Sequence, residues 1–169
     1  MVRAVVLADT HLRAGGRRRL PEGAYHLLAG ADVVLHAGDL VDGSVLATLE
    51  SIAPTYAVLG NNDSALAGVL PTTRRLDLDG VAVAIIHDSG GREGRARRLH
   101  RLFPDAQVVV FGHSHLPVDE PGLDGQLLFN PGSPTERRRS PHHTVGLLEL
   151  ERGAVTGHRI VDVDPGPPS

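Results

Sequence analysis

Five short apolar runs in this chain each end on a residue that can bind a cation or move a proton, and nothing else in the sequence narrows the fold as much. The run at 3–8 leads into Asp9-Thr10-His11, and the run at 32–36 into Gly38-Asp39. The run at 55–59 leads into Gly60-Asn61-Asn62-Asp63, and the run at 81–87 closes on His87-Asp88. The run at 107–111 leads into Gly112-His113-Ser114-His115. Each run is rich in Val, Leu and Ile and bounded by turn formers, which reads as a strand. Ligands of α/β sheets bind outside the carboxyl ends of the strands, so one sheet could bring all five groups together.

Between the runs lie amphipathic stretches that read as helices. One spans 21–28, with Pro21 in its first turn; another spans 43–51, with Asp42 as N-cap. A third, 93–103, alternates Arg with apolar positions and stops at Pro104. Residues 74–84 read as a hairpin turning on Asp79-Gly80. Further strand-like runs follow at 126–129, 144–150 and 155–163. The early half therefore predicts a parallel sheet with crossover helices, and the late half a second, mixed or antiparallel sheet. Residues 1–163 are expected to form a single domain, with a disordered Pro-rich tail at 164–169. The Gly- and Arg-rich loop at 13–19 is expected to be mobile.

Composition removes several kinds of chemistry. The 169 residues include 0 Cys, which excludes disulfides, zinc–thiolate and iron–sulfur sites, and a thiol nucleophile. All 17 basic residues are Arg, so Schiff-base chemistry is excluded too. With 3% aromatics and a net charge of −3, neither stacked bases nor a long phosphate backbone is an expected ligand. No exported or membrane-spanning segment is visible, which makes a soluble, cytoplasmic protein the expectation. The one unusual count is 10 His, the commonest metal ligand and the usual proton carrier near neutral pH.

The spacing inside each group suits a cation. In extended chain, residues i and i+2 face one side, so Asp9 and His11 can reach one ion with Thr10 turned away. His113 and His115 share that relation, although two histidines on one face could equally serve two neighbouring ions. Asp39 has two carboxylate oxygens and can bridge a pair of ions, and Asn61 offers a neutral amide oxygen. Glycines 38, 60 and 112 permit sharp turns and close backbone approach. Alone, Asp-x-His is common, and His87-Asp88 could suggest a helical His-Asp phosphohydrolase, but here it ends a strand. Five such groups in series point to a shared dinuclear centre.

Taken as a set, Asp9-x-His11, Gly38-Asp39, Gly60-Asn61-x-Asp63, His87 and Gly112-His113-x-His115 resemble the motifs of the calcineurin-like metallophosphoesterases. The short chain and Asn130-Pro131-Gly132-Ser133 resemble the small bacterial and archaeal phosphodiesterase branch. The resemblance implies a four-layer α/β/β/α sandwich with two mixed sheets and a metal pair at one sheet edge. It implies a first ion on Asp9, His11, Asp39 and His115, and a second on Asp39, Asn61, His87 and His113. The implied catalytic residues are Asp39, Asn61, Asn62 and His113. Many relatives carry a histidine where Asn62 stands, thought to protonate the leaving group, and a glycine where Asp88 stands.

An all-oxygen-and-nitrogen ligand set suits Mn²⁺, Fe, Co²⁺, Ni²⁺ or Zn²⁺, with Mn²⁺ the choice of the resembling branch. The expected reaction is in-line hydrolysis of a phosphate ester by a metal-bridging hydroxide, with no covalent intermediate. Two divalent ions, offset by Asp9, Asp39 and a hydroxide, leave one net positive charge, which matches a diester monoanion better than a monoester dianion. The expected partner is a small phosphodiester or nucleotide-like substrate, with no membrane and no extended nucleic-acid surface; oligomeric state stays open. Two rivals remain: a phosphomonoesterase or nucleotide phosphatase on the same site, and a non-catalytic scaffold like the retromer subunit that resembles this fold. Of the other histidines, His36 reads as buried support, and His26, His100 and His158 as surface or structural residues. His142 and His143 lie in a loop, and Arg137-Arg138-Arg139 reads as a solvated loop with a possible substrate contact.

Overall fold

A computed structural model describes residues 1–164. Among these residues, ten strands form two five-stranded mixed sheets with three α-helices outside them. The first sheet has the order β10-β9-β1-β2-β3, with β1 (Val2–Leu7), β2 (Val33–His36), β3 (Thr55–Ala57), β9 (Thr144–Glu151) and β10 (Ala154–Asp162). Strands β1, β2 and β3 run parallel, and the β9–β10 hairpin adds antiparallel to β1. The second sheet has the order β4-β5-β6-β8-β7, from β4 (Thr73–Leu78), β5 (Val81–Ile86), β6 (Val108–Val110), β7 (Val118–Pro121) and β8 (Leu127–Asn130). Its β5, β6 and β8 are parallel, and β4 and β7 close the edges antiparallel.

Alternation along the strands makes the layers. Val5 and Leu7 of β1 face Ala24 and Leu28 of α1 (Glu22–Leu28) and Val45 and Leu49 of α2 (Gly43–Glu50). Ala4 and Val6 turn the other way and pack against Val83, Ile85, Val108 and Val110 of the second sheet. Beyond that sheet, Ala84, Val109 and Leu128 meet Leu99 of α3 (Arg95–Leu102), together with Phe103. Strands buried on both faces must be apolar throughout, which is why their runs read as continuous Val, Leu and Ile. The four-layer sandwich is the expected one.

Helix and turn chemistry follows the sequence closely. The Asp42 carboxylate accepts from the Ser44 N–H at 2.9 Å and caps α2. Asp79 (φ 54°) and Gly80 (φ 82°) make the tight turn between β4 and β5.

Two expectations need correction. The late strands do not all belong to the second sheet, because β9 and β10 return to the free edge of β1. Strand β7 has no strand-like signature: Val-Asp-Glu-Pro carries one β-former and a proline, which an edge position tolerates. Of the tail expected at 164–169, Asp164 alone lies among the described residues, and it accepts from the His143 N–H at 3.1 Å and from its Nδ1 at 2.5 Å.

Candidate metal centre

All five sequence groups meet, but from two sheets instead of one. β1, β2 and β3 deliver Asp9, His11, Asp39 and Asn61 from the first sheet, while β5 and β6 deliver His87, His113 and His115 from the second. The local backbone also differs from expectation. Asp9 (φ 53°), His11 (φ 44°), Asp39 (φ 61°), His113 (φ 68°) and His115 (φ 60°) are all left-handed. Paired groups therefore converge through left-handed residues just past the strand ends, and not through strand alternation. Such residues cost about 1–2 kcal/mol each, and Asp, Asn and His tolerate them better than most. Hydrogen bonds between loops hold them: Asp9 N–H donates to Gly38 O, His11 N–H to Asp39 O and Gly112 N–H to His87 O, each at 2.9 Å. Gly38 (φ 94°) has no alternative, since a Cβ there would lie 2.7 Å from His87 Nδ1 and 2.8 Å from Gly60 N.

The ligand atoms fall into two adjoining groups, Asp9–His11–His115 and Asp9–Asp39–His87, each within 4.8 Å. Asp39 Oδ2 lies between them, 3.4 Å from His11 Nε2 and 3.6 Å from His87 Nε2. His115 Nε2 is 3.6 Å from Asp9 Oδ1 and 3.3 Å from His11 Nε2. Asn61 Oδ1 sits 2.9 Å from His87 Nε2 and 3.2 Å from His113 Nδ1.

Tautomers are set from behind. His87 Nδ1–H donates to the Ala37 carbonyl at 2.7 Å, and His115 Nδ1–H to the Glu136 carbonyl at 2.5 Å. Both rings then present the Nε2 lone pair to the site, as metal-bound histidines do. His87 Nε2 thus faces the Asn61 oxygen with a lone pair on each side, an arrangement that a shared cation satisfies. Asp9 makes the same point more strongly. It is fully buried, and neither carboxylate oxygen has a hydrogen-bond partner among the described residues. Without a cation, burial and the neighbouring Asp39 charge push its pKa up to about 8. An orphaned buried carboxylate beside inward lone pairs fits a divalent cation of the oxygen- and nitrogen-binding class.

Other side chains brace the ligands. Burial pushes the Asp39 carboxyl upward, but hydrogen bonds from Asn62 N–H (2.9 Å) and Nδ2 (2.7 Å), with His87 and His11 nearby, outweigh it and hold its pKa below the ordinary value. Asn62, expected at the general-acid position, thus spends its amide on Asp39. Burial lowers His11 and His115 and drives His36 down to about 3, so His36 stays neutral. Its Nδ1 accepts from Gly38 N–H at 3.1 Å, so Nε2–H donates to Thr10 Oγ1, also 3.1 Å away. That is the support read from the sequence, and it turns Thr10 away from the site.

Sequence reasoning names Asp63 within the Gly60-Asn61-x-Asp63 motif but gives it no role; its carboxylate accepts from the N–H groups of Asp39 (2.8 Å), Gly60 (2.8 Å) and Val41 (2.6 Å). Its only signal is its place in the Gly-Asn-Asn-Asp run. The turn after β8 acts similarly. Asn130 Nδ2 donates to Gly112 O at 3.0 Å, and Ser133 Oγ to Asp9 O at 2.8 Å. Glu136 contributes through its carbonyl, which no side-chain pattern announces.

The remaining candidates lie elsewhere. Exposed Asp88 accepts from Gly90 N–H at 2.7 Å. His26, His100 and His158 pair with Glu22, Asp124 and Asp119, and His142 with Asp162.

Fold and site together define a metallophosphoesterase sandwich with a candidate metal centre at its strand ends. A sequence model of the calcineurin-like phosphoesterase superfamily domain matches residues 2–153, and the chain belongs to that family, a family of metal-dependent phosphoric ester hydrolases. It is 34% identical over 137 residues to a protein of Methanothermobacter thermautotrophicus named "Probable metallophosphoesterase", covering 79% of this chain and 77% of the relative. Among solved structures, Vacuolar Protein Sorting 29 of Cryptosporidium parvum superposes with a TM-score of 0.76 at 20% identity, covering 95% of this chain and 98% of that one. An archaeal phosphodiesterase superposes with a TM-score of 0.69 at 21% identity, covering 95% and 99%. At these identities the two structures show the shared fold. No helix among the described residues is long and apolar enough to cross a membrane.

Proposed function

We propose that residues 1–163 act as one catalytic domain that hydrolyses a phosphodiester with two divalent cations, Mn²⁺ before Fe, Co²⁺, Ni²⁺ or Zn²⁺. Asp9, His11, Asp39 and His115 would hold one ion, and Asp39, Asn61, His87 and His113 the other. The observation that carries this reading is Asp39 Oδ2, within 3.6 Å of a histidine nitrogen from each group. When bound, such a pair polarises the phosphoryl group and activates a water near neutral pH. The chain's own residues orient the ligands: Asn62 and Asp63 fix the Asp39 loop, and the Ala37 and Glu136 carbonyls fix the two rings. No side-chain nucleophile is used. The choice of a diester before a monoester draws on one protein of the same fold being an archaeal phosphodiesterase.

Metal analysis of purified protein, followed by assays of a diester, a monoester and cyclic nucleotides with each ion, tests the reading. Chelation is expected to abolish turnover and Mn²⁺ to restore it; full activity in metal-free protein would overturn the mechanism. The scaffold reading draws on the vacuolar protein sorting neighbour, and it expects no turnover with any ion.

A further inference from the structure

Seven of the 17 arginines lie on two loops, Arg13, Arg17, Arg18 and Arg19 on one and Arg137, Arg138 and Arg139 on the other. A chain of net charge −3 thus concentrates positive charge on two segments whose only acidic residue is Glu136. Both segments border the metal centre. Arg18 Nη1 lies 3.4 Å from the His11 carbonyl, and Arg138 Nη1 lies 3.4 Å from the His113 carbonyl. Glu136 stands between them, 3.2 Å from Arg18 and 3.9 Å from Arg138. A cavity of about 410 Å³ opens beside His11 and is walled by Arg13, Gly16, Arg17 and Arg18. Among the described residues, neither the Arg13 nor the Arg17 guanidinium has a hydrogen-bond or ion-pair partner, whereas that of Arg18 has both. The nearby Asp42 carboxylate is already engaged by the Ala14 and Ser44 N–H groups.

We propose that this cavity is a subsite for a second, non-scissile phosphate, so that the substrate is a phosphoester carrying two phosphates. The proposal rests on the phosphoesterase reading above for the position of the scissile group. Guanidinium groups suit phosphate because their planar donors pair with two of its oxygens at once. Arg13 and Arg17 are unpaired, so they engage such a group without breaking an existing contact. The His11 wall ties the cavity to the metal centre, which places the second phosphate a short spacer from the first. Glu136 meanwhile keeps Arg18 and Arg138 against the ligand loops, leaving Arg13 and Arg17 to select the substrate.

A matched pair of esters with one leaving group tests this: thymidine 5′-(4-nitrophenyl phosphate) with a free 3′-hydroxyl, and the same ester with a 3′-phosphate. With the Mn²⁺-loaded protein, kcat/KM is expected to be about tenfold or more higher for the 3′-phosphorylated ester at low ionic strength. The advantage should shrink as salt is added. In Arg13→Ser/Arg17→Ser the ratio of the two kcat/KM values is expected to fall to within about threefold of one. A wild-type ratio of one or below, or a variant that keeps the full ratio, overturns the subsite. A third ester, joined through its 3′-phosphate to a second nucleoside, separates two sources of the same chemistry. A gain confined to the terminal phosphate assigns a small bisphosphate, and an equal gain assigns a short strand.

Should neither ester be hydrolysed, the phosphoesterase reading falls, and equilibrium binding to the chelated full chain decides the subsite alone. Thymidine 3′,5′-bisphosphate is expected to bind more tightly than thymidine 5′-phosphate to the wild type, but not to the double variant. Equal affinities for the wild type would count against it.

Discussion

Asp9 is a buried carboxylate with no hydrogen-bond partner among the described residues, and without a cation that has a pH signature. Its folded pKa, about 8, lies above the unfolded value of 3.8. The protonated form therefore favours folding, and this contribution is lost as pH rises from about 4 through 8. His11, His36 and His115 are depressed and work the other way, losing stability as pH falls below about 6.5. Comparing the wild type with Asp9→Asn cancels the histidines. In chelated protein, Asp9→Asn should be more stable than wild type by a few kcal/mol at pH 8 and nearly equal at pH 4, by denaturant titration. A gap that does not widen with pH would remove the orphaned carboxylate from the argument. Under the proposed ligand sets Asp39 would serve both ions and His11 only one. Asp39→Ala should lose more bound metal and more rate than His11→Ala, whereas equal, mild losses would mean that no bridge exists. Asn62 raises the question of the leaving group, since an amide on Asp39 delivers no proton. General acid help is typically worth 10²–10⁴ in rate. The enzyme should therefore prefer nitrophenyl esters to alkyl diesters, and Asn62→His should raise the rate on alkyl diesters more. An equal factor on both would place the missing acid elsewhere.

The strand-end loops are the elements that make the site, and they are held by backbone contacts that leave no room for change. Gly38 shows this best, being left-handed and pressed against Gly60 and His87. Gly38→Ala adds strain at φ 94° and pushes a methyl toward the ring nitrogen that must donate to Ala37. The expected result is a loss of at least about 2 kcal/mol of stability together with loss of bound metal, by thermal melting and metal stoichiometry. A variant with native metal content would show that the loop has slack. The turn after β8 braces the opposite side through Asn130 and Ser133, whose bonds reach Gly112 and Asp9. Its ligand-orienting member is a main-chain carbonyl, so Glu136→Gln should keep the metal while changing only the charge near Arg18 and Arg138.

At the scale of the whole molecule, the candidate ligands come from both sheets, so a bound ion joins the two halves of the sandwich as well as serving chemistry. A ligand at about 100 times its Kd adds about 2.7 kcal/mol to folding. For a chain of this length that corresponds to roughly 5–11 °C in Tm. Saturating Mn²⁺ should therefore raise the melting temperature of chelated wild type by about that amount, and of Asp39→Ala by much less. An unchanged melting temperature despite measured binding would mean that the unfolded chain holds the ion as tightly as the folded one, and that the sandwich gains nothing from it.

The sequence by itself determined most element types and the chemistry of the ligands. Alternation buries one face of a strand or helix, Asp42 caps, and Asp79-Gly80 turns, all within a few residues of chain, so each is written locally. The carboxylate, imidazole and amide groups at the strand ends were legible for the same reason. Tertiary structure alone decided which sheet each strand joins, since β9 and β10 read like any other apolar strands and went back to β1 because its edge was free. It alone decided that the ligands sit in left-handed backbone, that Asn62 faces Asp39, and that arginines far apart in sequence wall one metal centre. These depend on groups that meet across as many as 126 residues of chain. No local pattern specifies such encounters; the packing of two finished sheets does.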